Sequence, residues 1–280
     1  MNTPLSLGMF DYVNIWPIYY RFLFEEVPPS INLVKGTPSE LNQKLATGEI
    51  VCSSISSIEF PRLQDEISLF PALVLASENE VKSVILVSKK PLEKLGGAII
   101  ATTNASSTSS ALLKIILARR QIEADLALTD HPLLALDHGA TAALLIGDQA
   151  LLAAEKFAGN HYTYDLGSLW KGLTGKPFVW ALWAIRNENL EDAPKIYQAL
   201  LDSRALGVGA IPAISERAAS KLGVEPGFME KYYRNFDYYL LTSHLEGLQL
   251  YYDYAYKIGL VPRCPEIVFA ETIQCSREAL

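Results

Sequence analysis

The densest cluster of chemistry-bearing residues is the run Thr102-Thr103-Asn104-Ala105-Ser106-Ser107-Thr108-Ser109-Ser110. It lies between an apolar stretch, Ala98 to Thr102, short enough for a buried strand, and Ala111 to Ala118, whose apolar residues recur at helical spacing. Arg119 and Arg120 fall in the last turn of that helix, where cations suit its dipole. A helix start leaves backbone N–H groups without intrahelical partners. Together with hydroxyls they bind carboxylate or phosphate without Lys or Arg. A single Ser here reads as an N-cap in a solvated loop. The crowding of hydroxyls after a buried strand also fits an anion site, with Thr103, Ser106, Ser107, Thr108 and Ser109 as its candidates. No GxxxxGK[ST] occurs, so the run is not a P-loop.

Other polar residues stand at comparable places. Asn14 follows the strand-like Leu5 to Phe10 and precedes a helix from about Ile18 to Phe24. It either bonds its own turn or faces a ligand. Ser56-Ser57-Ile58-Glu59 follows a short strand, Ile50 to Ser54, and has the spacing of a capping box. One hydroxyl would cap and the other is available to a ligand. Ser83 falls among apolar residues in the predicted strand Val81 to Ser88. A packed serine is the alternative there. Asp148 follows the apolar Ala142 to Ile146 and has three open roles: helix cap, lobe cross-link or ligand contact.

The positioning elements are α/β in kind. Strand-like and helical stretches alternate to about Asn187, with strands also expected at Ile31 to Lys35, Leu69 to Ala76 and Lys176 to Ile185. A helix capped by Thr37, with Pro38 and Glu40 behind it, should end at Gly48. Ile122 to Thr129 reads as a connector. Helices fill the rest: roughly Leu190 to Leu206, Ile211 to Leu222, Pro226 to Asn235 and Leu245 to Ile258, then a tail with a weak strand at Ile267 to Ala270. The tyrosines between Tyr232 and Tyr256 suit core packing. The strands Val81–Ser88 and Lys176–Ile185 bracket a middle region with its own strand–helix units. The expected layout is lobe one from 1–87 and 181–280, lobe two from 88–180, and a ligand cleft between them.

Composition narrows the partners. The chain has 280 residues, 50% hydrophobic and 20% charged, enough for a large core. Its net charge is −7 and no Lys/Arg run exceeds two, which argues against nucleic acid. An anionic small molecule remains compatible, because local dipoles would hold it. Cys52, Cys264 and Cys275 show neither disulfide nor zinc spacing, in keeping with a reducing compartment. The stretch after Met1 has no basic n-region, long apolar run or lipobox cysteine, and no segment reaches membrane-spanning length, so a cytoplasmic protein is expected. His131, His138, His161 and His244 lie outside the motifs and lack a carboxylate partner in sequence. They are expected at the surface or at helix ends.

One ordered set of motifs carries a resemblance over nearly the whole chain. It comprises Tyr12-Val13-Asn14 with Pro17, Leu41-Asn42 before Gly48, Ser56-Ser57-Ile58-Glu59, Val81-Lys82-Ser83-Val84 and Ser107-Thr108-Ser109. Further on come Leu145-Ile146-Gly147-Asp148, Asp165-Leu166-Gly167 with Trp170, Thr174-Gly175, Pro177-Phe178, and Gly247-Leu248 with Tyr251-Tyr252 and Ala255. The set resembles the chorismate dehydratases of the futalosine route to menaquinone. That resemblance implies a periplasmic-binding-protein type II-like fold with a double crossover, working as a cytoplasmic hydro-lyase without cofactor or metal. It implies loss of water from chorismate to give 3-[(1-carboxyvinyl)oxy]benzoate. It maps catalytic roles onto Asn14 and Ser83 and carboxylate binding onto Ser106 to Ser109. The sister dihydroxynaphthoate synthases share the fold, but their Pro-Asn-Asp-Thr-type segment and catalytic His are unmatched. A non-catalytic carboxylate-binding or sensing protein is the other alternative. Glu78-Asn79-Glu80 departs from the glycine that relatives often carry before the Val-x-Ser-Val strand, which bears on how Ser83 is placed.

Overall fold

Two long apolar stretches lie side by side in the larger sheet. In the computed structural model, which describes residues 3–103, 106–157 and 159–273, they are β4 (Ile67–Ser77) and β10 (Phe178–Arg186). Nearly every residue of both is buried, so each reads as an unbroken hydrophobic run rather than an alternating one. The sheet is completed by β1 (Leu5–Met9), β2 (Ile31–Lys35), β3 (Cys52–Ser56) and the short β11 (Phe236–Asp237), in the order β11-β4-β10-β3-β1-β2. β1 runs parallel to β2 and β3, whereas β10 is antiparallel to both neighbours. Some polar atoms of this core are satisfied internally. Trp183 Nε1 donates to the Tyr19 hydroxyl at 3.0 Å, and that hydroxyl donates to the Gly8 carbonyl at 2.8 Å.

The second sheet contains β5 (Val84–Ser88), β6 (Ile99–Thr102), β7 (Asp125–Leu128), β8 (Ala142–Ile146) and β9 (Tyr162–Asp165), in the order β7-β6-β8-β5-β9. β6 is parallel to β7 and β8, and β5 is antiparallel to β8 and β9. The α/β class expected from the alternation is the class observed. We take the two lobes to be these two sheets with their helices. On sheet membership the chain crosses at 78–83 and again at 175–177, a few residues ahead of the boundaries drawn from sequence.

Several local expectations need correction. The strand that includes β5 starts at Val84, so Ser83 stands in the turn before it and not within it. Residues 122–129 are not all connector, because Asp125–Leu128 forms an exposed edge strand on β6. At 267–270 the only pairing is one bridge between Leu69 and Phe269. His244 stands in the first turn of the Thr242–Lys257 helix, a helix end as expected, but it is buried and meets the carboxylate of Asp237, on the strand just before that helix, at 3.2 Å. The tyrosine-rich segment packs as core, with Tyr232, Tyr233, Tyr251 and Tyr252 fully buried. Cys52 and Cys264 are free thiols; Cys275 lies outside the described residues, as does Asn104 of the hydroxyl run.

Candidate active site

The two sheets face each other across a narrow cleft lined by residues of both. Its polar lining comes from the carboxyl ends of parallel strands, where open α/β sheets place ligands. Tyr12 and Asn14 follow β1, Ser54 and Ser56 end β3, and Ser106 and Ser109 follow β6. Ser83 enters from the crossing before β5. Phe10, Leu75, Val84, Ile146, Trp180 and Phe236 supply apolar walls. Of the residues singled out in sequence, Asn14, Ser56, Ser83, Ser106 and Ser109 therefore converge on one space.

Asn14 sits in a one-turn 3₁₀ helix, Val13–Ile15, directly after the strand. Its Oδ1 is buried with no hydrogen-bond partner. A buried amide oxygen left unpaired costs stability, so this atom is poised for a donor from a bound molecule. Ser106 caps the Ser107–Arg119 helix by accepting from Ser109 N at 3.3 Å, and the two hydroxyls lie 2.8 Å apart. The helix start thus places two linked hydroxyls at the cleft wall. That is a place for a carboxylate without a cationic side chain.

The other hydroxyls are used elsewhere. Ser57 does not cap: its hydroxyl donates to the Val179 carbonyl at 2.8 Å, and its own carbonyl accepts from the Tyr252 hydroxyl. The capping box read from Ser56 to Glu59 does not form: Ser56 precedes the Ser57–Glu59 3₁₀ turn without a side-chain capping bond. Thr108 Oγ1 accepts from Ile58 N at 3.4 Å and its carbonyl accepts from Tyr251, pinning the helix start to the first lobe. Thr103 and Ser107 line a separate groove with Arg62 and Lys114.

Asp148 lies beside the cleft and works as a cross-link. Its Oδ1 accepts from Val13 N at 3.4 Å, one residue before Asn14, and its Oδ2 is 3.7 Å from Lys221 Nζ. Burial pushes its carboxyl above the usual range, opposed by the Lys221 ammonium. A carboxyl raised in this way holds its proton more tightly in the folded chain than in the unfolded one. Its contribution to stability is therefore full below the ordinary carboxylate pKa and is lost as pH rises through the raised value. Asp148→Asn keeps an acceptor for Val13 but removes the titration. Its Tm should equal or exceed wild type at pH 7, with a flatter pH profile above the ordinary carboxylate range. A lower Tm with an unchanged profile would contradict this.

Tyr12, Ser54 and Trp180 also line the cleft but were not singled out as site residues. Ser54 had a signal, since residues two apart on a strand share a face and Ser56 had been noted. Trp180 had none: in an apolar strand it looks like any core aromatic. Its ring forms a cleft wall while Nε1 donates to Ser77 Oγ at 3.0 Å. The Tyr12 hydroxyl is raised by burial and by the nearby Asp148 charge, so it stays protonated as a donor.

A family model described as menaquinone biosynthesis matches residues 5–257. The chain belongs to that family. A curated relative, the chorismate dehydratase of Thermus thermophilus, is 32% identical across 89% of this chain and 94% of its own. Among solved structures, an Archaeoglobus fulgidus protein superposes with a TM-score of 0.77 at 19% identity, covering 92% of this chain and 98% of that one. The alkanesulfonate-binding protein SsuA from Xanthomonas axonopodis pv. citri, bound to MOPS, gives 0.68 at 15% identity, covering 98% of each chain. These place the chain in the periplasmic-binding-protein-like fold. Among the described residues no helix is long and apolar enough to cross a membrane.

Proposed function

We propose that this chain is a cytoplasmic enzyme that removes water from chorismate to give 3-[(1-carboxyvinyl)oxy]benzoate in menaquinone biosynthesis. Family membership and the Thermus thermophilus relative support the reaction. The observation that carries it is the make-up of the cleft. Among the described residues lining it there are serines, one asparagine, one tyrosine and apolar side chains, and no carboxylate, imidazole or ammonium.

Such a lining suits a substrate that brings its own base. The C3–H of chorismate is vinylogous to the ring carboxylate, so removing that proton builds negative charge on the carboxylate. The Ser106–Ser109 hydroxyls and the adjacent N–H groups are suited to stabilise that charge as it develops. The enolpyruvyl carboxylate of the substrate takes the C3 proton, the C3–H electron pair enters the ring π system conjugated with the ring carboxylate, and it then forms the C3–C4 π bond as the C4–O bond breaks. The departing hydroxide takes the proton held by the enolpyruvyl carboxyl and leaves as water, and the ring becomes aromatic. The step is redox-neutral and needs no cofactor. In this reading Asn14 Oδ1 accepts from the C4 hydroxyl and Ser83 donates to the leaving oxygen, while the walls hold the reactive conformer. Ser56 contacts a substrate carboxylate. Ser57, Thr103, Ser107, Thr108 and Asp148 support the cleft without touching substrate.

The test is absorbance and mass analysis of the purified chain with chorismate. Loss of the diene and a product lighter by one water is expected. Ser83→Ala should lower kcat by about tenfold to a hundredfold with KM little changed. Chorismate returned unchanged, with thermal stabilisation of the protein, would replace the enzyme by a binding protein.

A further inference from the structure

The crossing that presents Ser83 has an unusual backbone. Lys82 has φ of +60°, a left-handed value uncommon outside glycine. Ser83 N donates back to the Val81 carbonyl at 2.7 Å, closing a three-residue γ-turn around Lys82. Turns of this kind persist only where surrounding groups hold them. Here the holding group is one carboxylate. Asp165 Oδ2 accepts from Lys82 N at 2.7 Å and from Val81 N at 3.0 Å, and Oδ1 lies 3.1 Å from Val81 N.

Asp165 is itself fixed. It ends β9, pairs with Ile85 and caps the Leu166–Thr174 helix by accepting from Ser168 N at 2.9 Å. Two residues on, Gly167 packs so closely that a Cβ would lie 2.3 Å from the Asn79 carbonyl. The Glu78-Asn79-Glu80 departure is accommodated on the same surface. Glu78 pairs with Lys171, and Glu80 accepts from Lys82 Nζ at 3.2 Å and from Asn235 Nδ2 at 3.3 Å. On its far side the Ser83 carbonyl accepts from Gly147 N at 2.7 Å.

An ordinary N-cap needs one acceptor, which Asn or Ser supplies about as well as Asp. The additional bonds to Val81 and Lys82 exceed that need. We propose that Asp165 is a positioning residue whose carboxylate holds the Val81–Ser83 γ-turn and so sets the Ser83 hydroxyl in the cleft. Its catalytic consequence rests on the dehydratase reading of Ser83; the turn itself does not.

The experiment compares the full chain with Asp165→Asn, Asp165→Ser, Ser83→Ala and the double variant Asp165→Asn/Ser83→Ala. Hydrogen exchange is followed over residues 78–84, and chorismate turnover is measured on the same samples. Both Asp165 variants keep a cap through one oxygen but lose the Oδ2 acceptor of Lys82. Exchange at Lys82 should rise by about tenfold or more, since the lost bond lowers local protection. The kcat should fall by about tenfold to a hundredfold with KM within about twofold, as expected when a reacting group is misplaced. The double variant should be no slower than Ser83→Ala, because both changes remove one function. Unchanged exchange overturns the proposal, and so do kcat losses that multiply in the double variant. If the unmodified chain leaves chorismate intact, the dehydratase reading fails and the exchange result alone decides the clamp.

Discussion

Asn14→Ala should reduce kcat for chorismate by about a hundredfold or more while leaving the fold intact, the scale seen when one preorganised polar group is removed. Two structural facts set this pairing of effects. Asn14 Oδ1 has no partner in the folded chain, so deletion breaks no side-chain bond from that atom and relieves a buried unpaired acceptor. The turn that carries it is held by backbone contacts instead: Trp16 N donates to the Val13 carbonyl, and Val13 N donates to Asp148. Tm should therefore match or exceed wild type. Asn14→Asp should behave differently, because a negative charge facing a dicarboxylate opposes binding and raises KM. Steady-state kinetics beside thermal melts test both. An Asn14→Ala enzyme with near-normal kcat would remove Asn14 from the chemistry.

Gly207→Ala should be the most damaging single methyl in the chain. Gly207 lies in the Ala193–Gly209 helix, and a Cβ there would sit 2.0 Å from the Pro17 carbonyl oxygen. One turn earlier on the same face, Ser203 Oγ accepts from Arg21 N at 3.0 Å, so helix and segment are bonded at one point and touching at the next. Neither side yields easily, since the Pro17 carbonyl is backbone and the new Cβ is fixed to the helix backbone. Overpacking of this kind costs about 3 kcal/mol or more, a fall in Tm of roughly 5–10 °C for a chain of this size. Pro17 is three residues beyond Asn14, so the displaced segment also moves the cleft. Gly207→Ala should lose activity beyond its loss of folded protein. A variant that melts like wild type would show that the helix can slide away at little cost.

Much of the fold was readable because its signals are local. The capping box of Thr37 and Glu40 and the left-handed Gly48 end the Pro38–Thr47 helix where the sequence placed them. The apolar runs of β4 and β10 stood out as strands by their length and composition. β7 and β9 were missed because they are exposed edge strands with mixed composition, stabilised by a neighbour that local sequence does not reveal. The site was legible as a set of turns but not in its division of labour. Ser56 and Ser57 are adjacent and chemically identical, yet one lines the cleft while the other bonds Val179 on a strand over a hundred residues away. The role of Asp148 was open for the same reason, and Asp165 stood out only as part of a motif. Each acts on the backbone of a distant segment, and backbone donors carry no sequence signature.

The placement of β10 between β3 and β4 has a consequence for synthesis. The larger sheet receives one of its inner strands from residues 178–186, after every strand of the smaller sheet has been made. A growing chain can assemble β5 to β9 as soon as residue 165 is clear of the ribosome. At that moment β3 and β4 still expose the edges that β10 will pair. Exposed strand edges invite pairing with other chains. The half-made first lobe is thus the vulnerable stage, and it ends only when the second crossing has been translated and β10 slots into the gap.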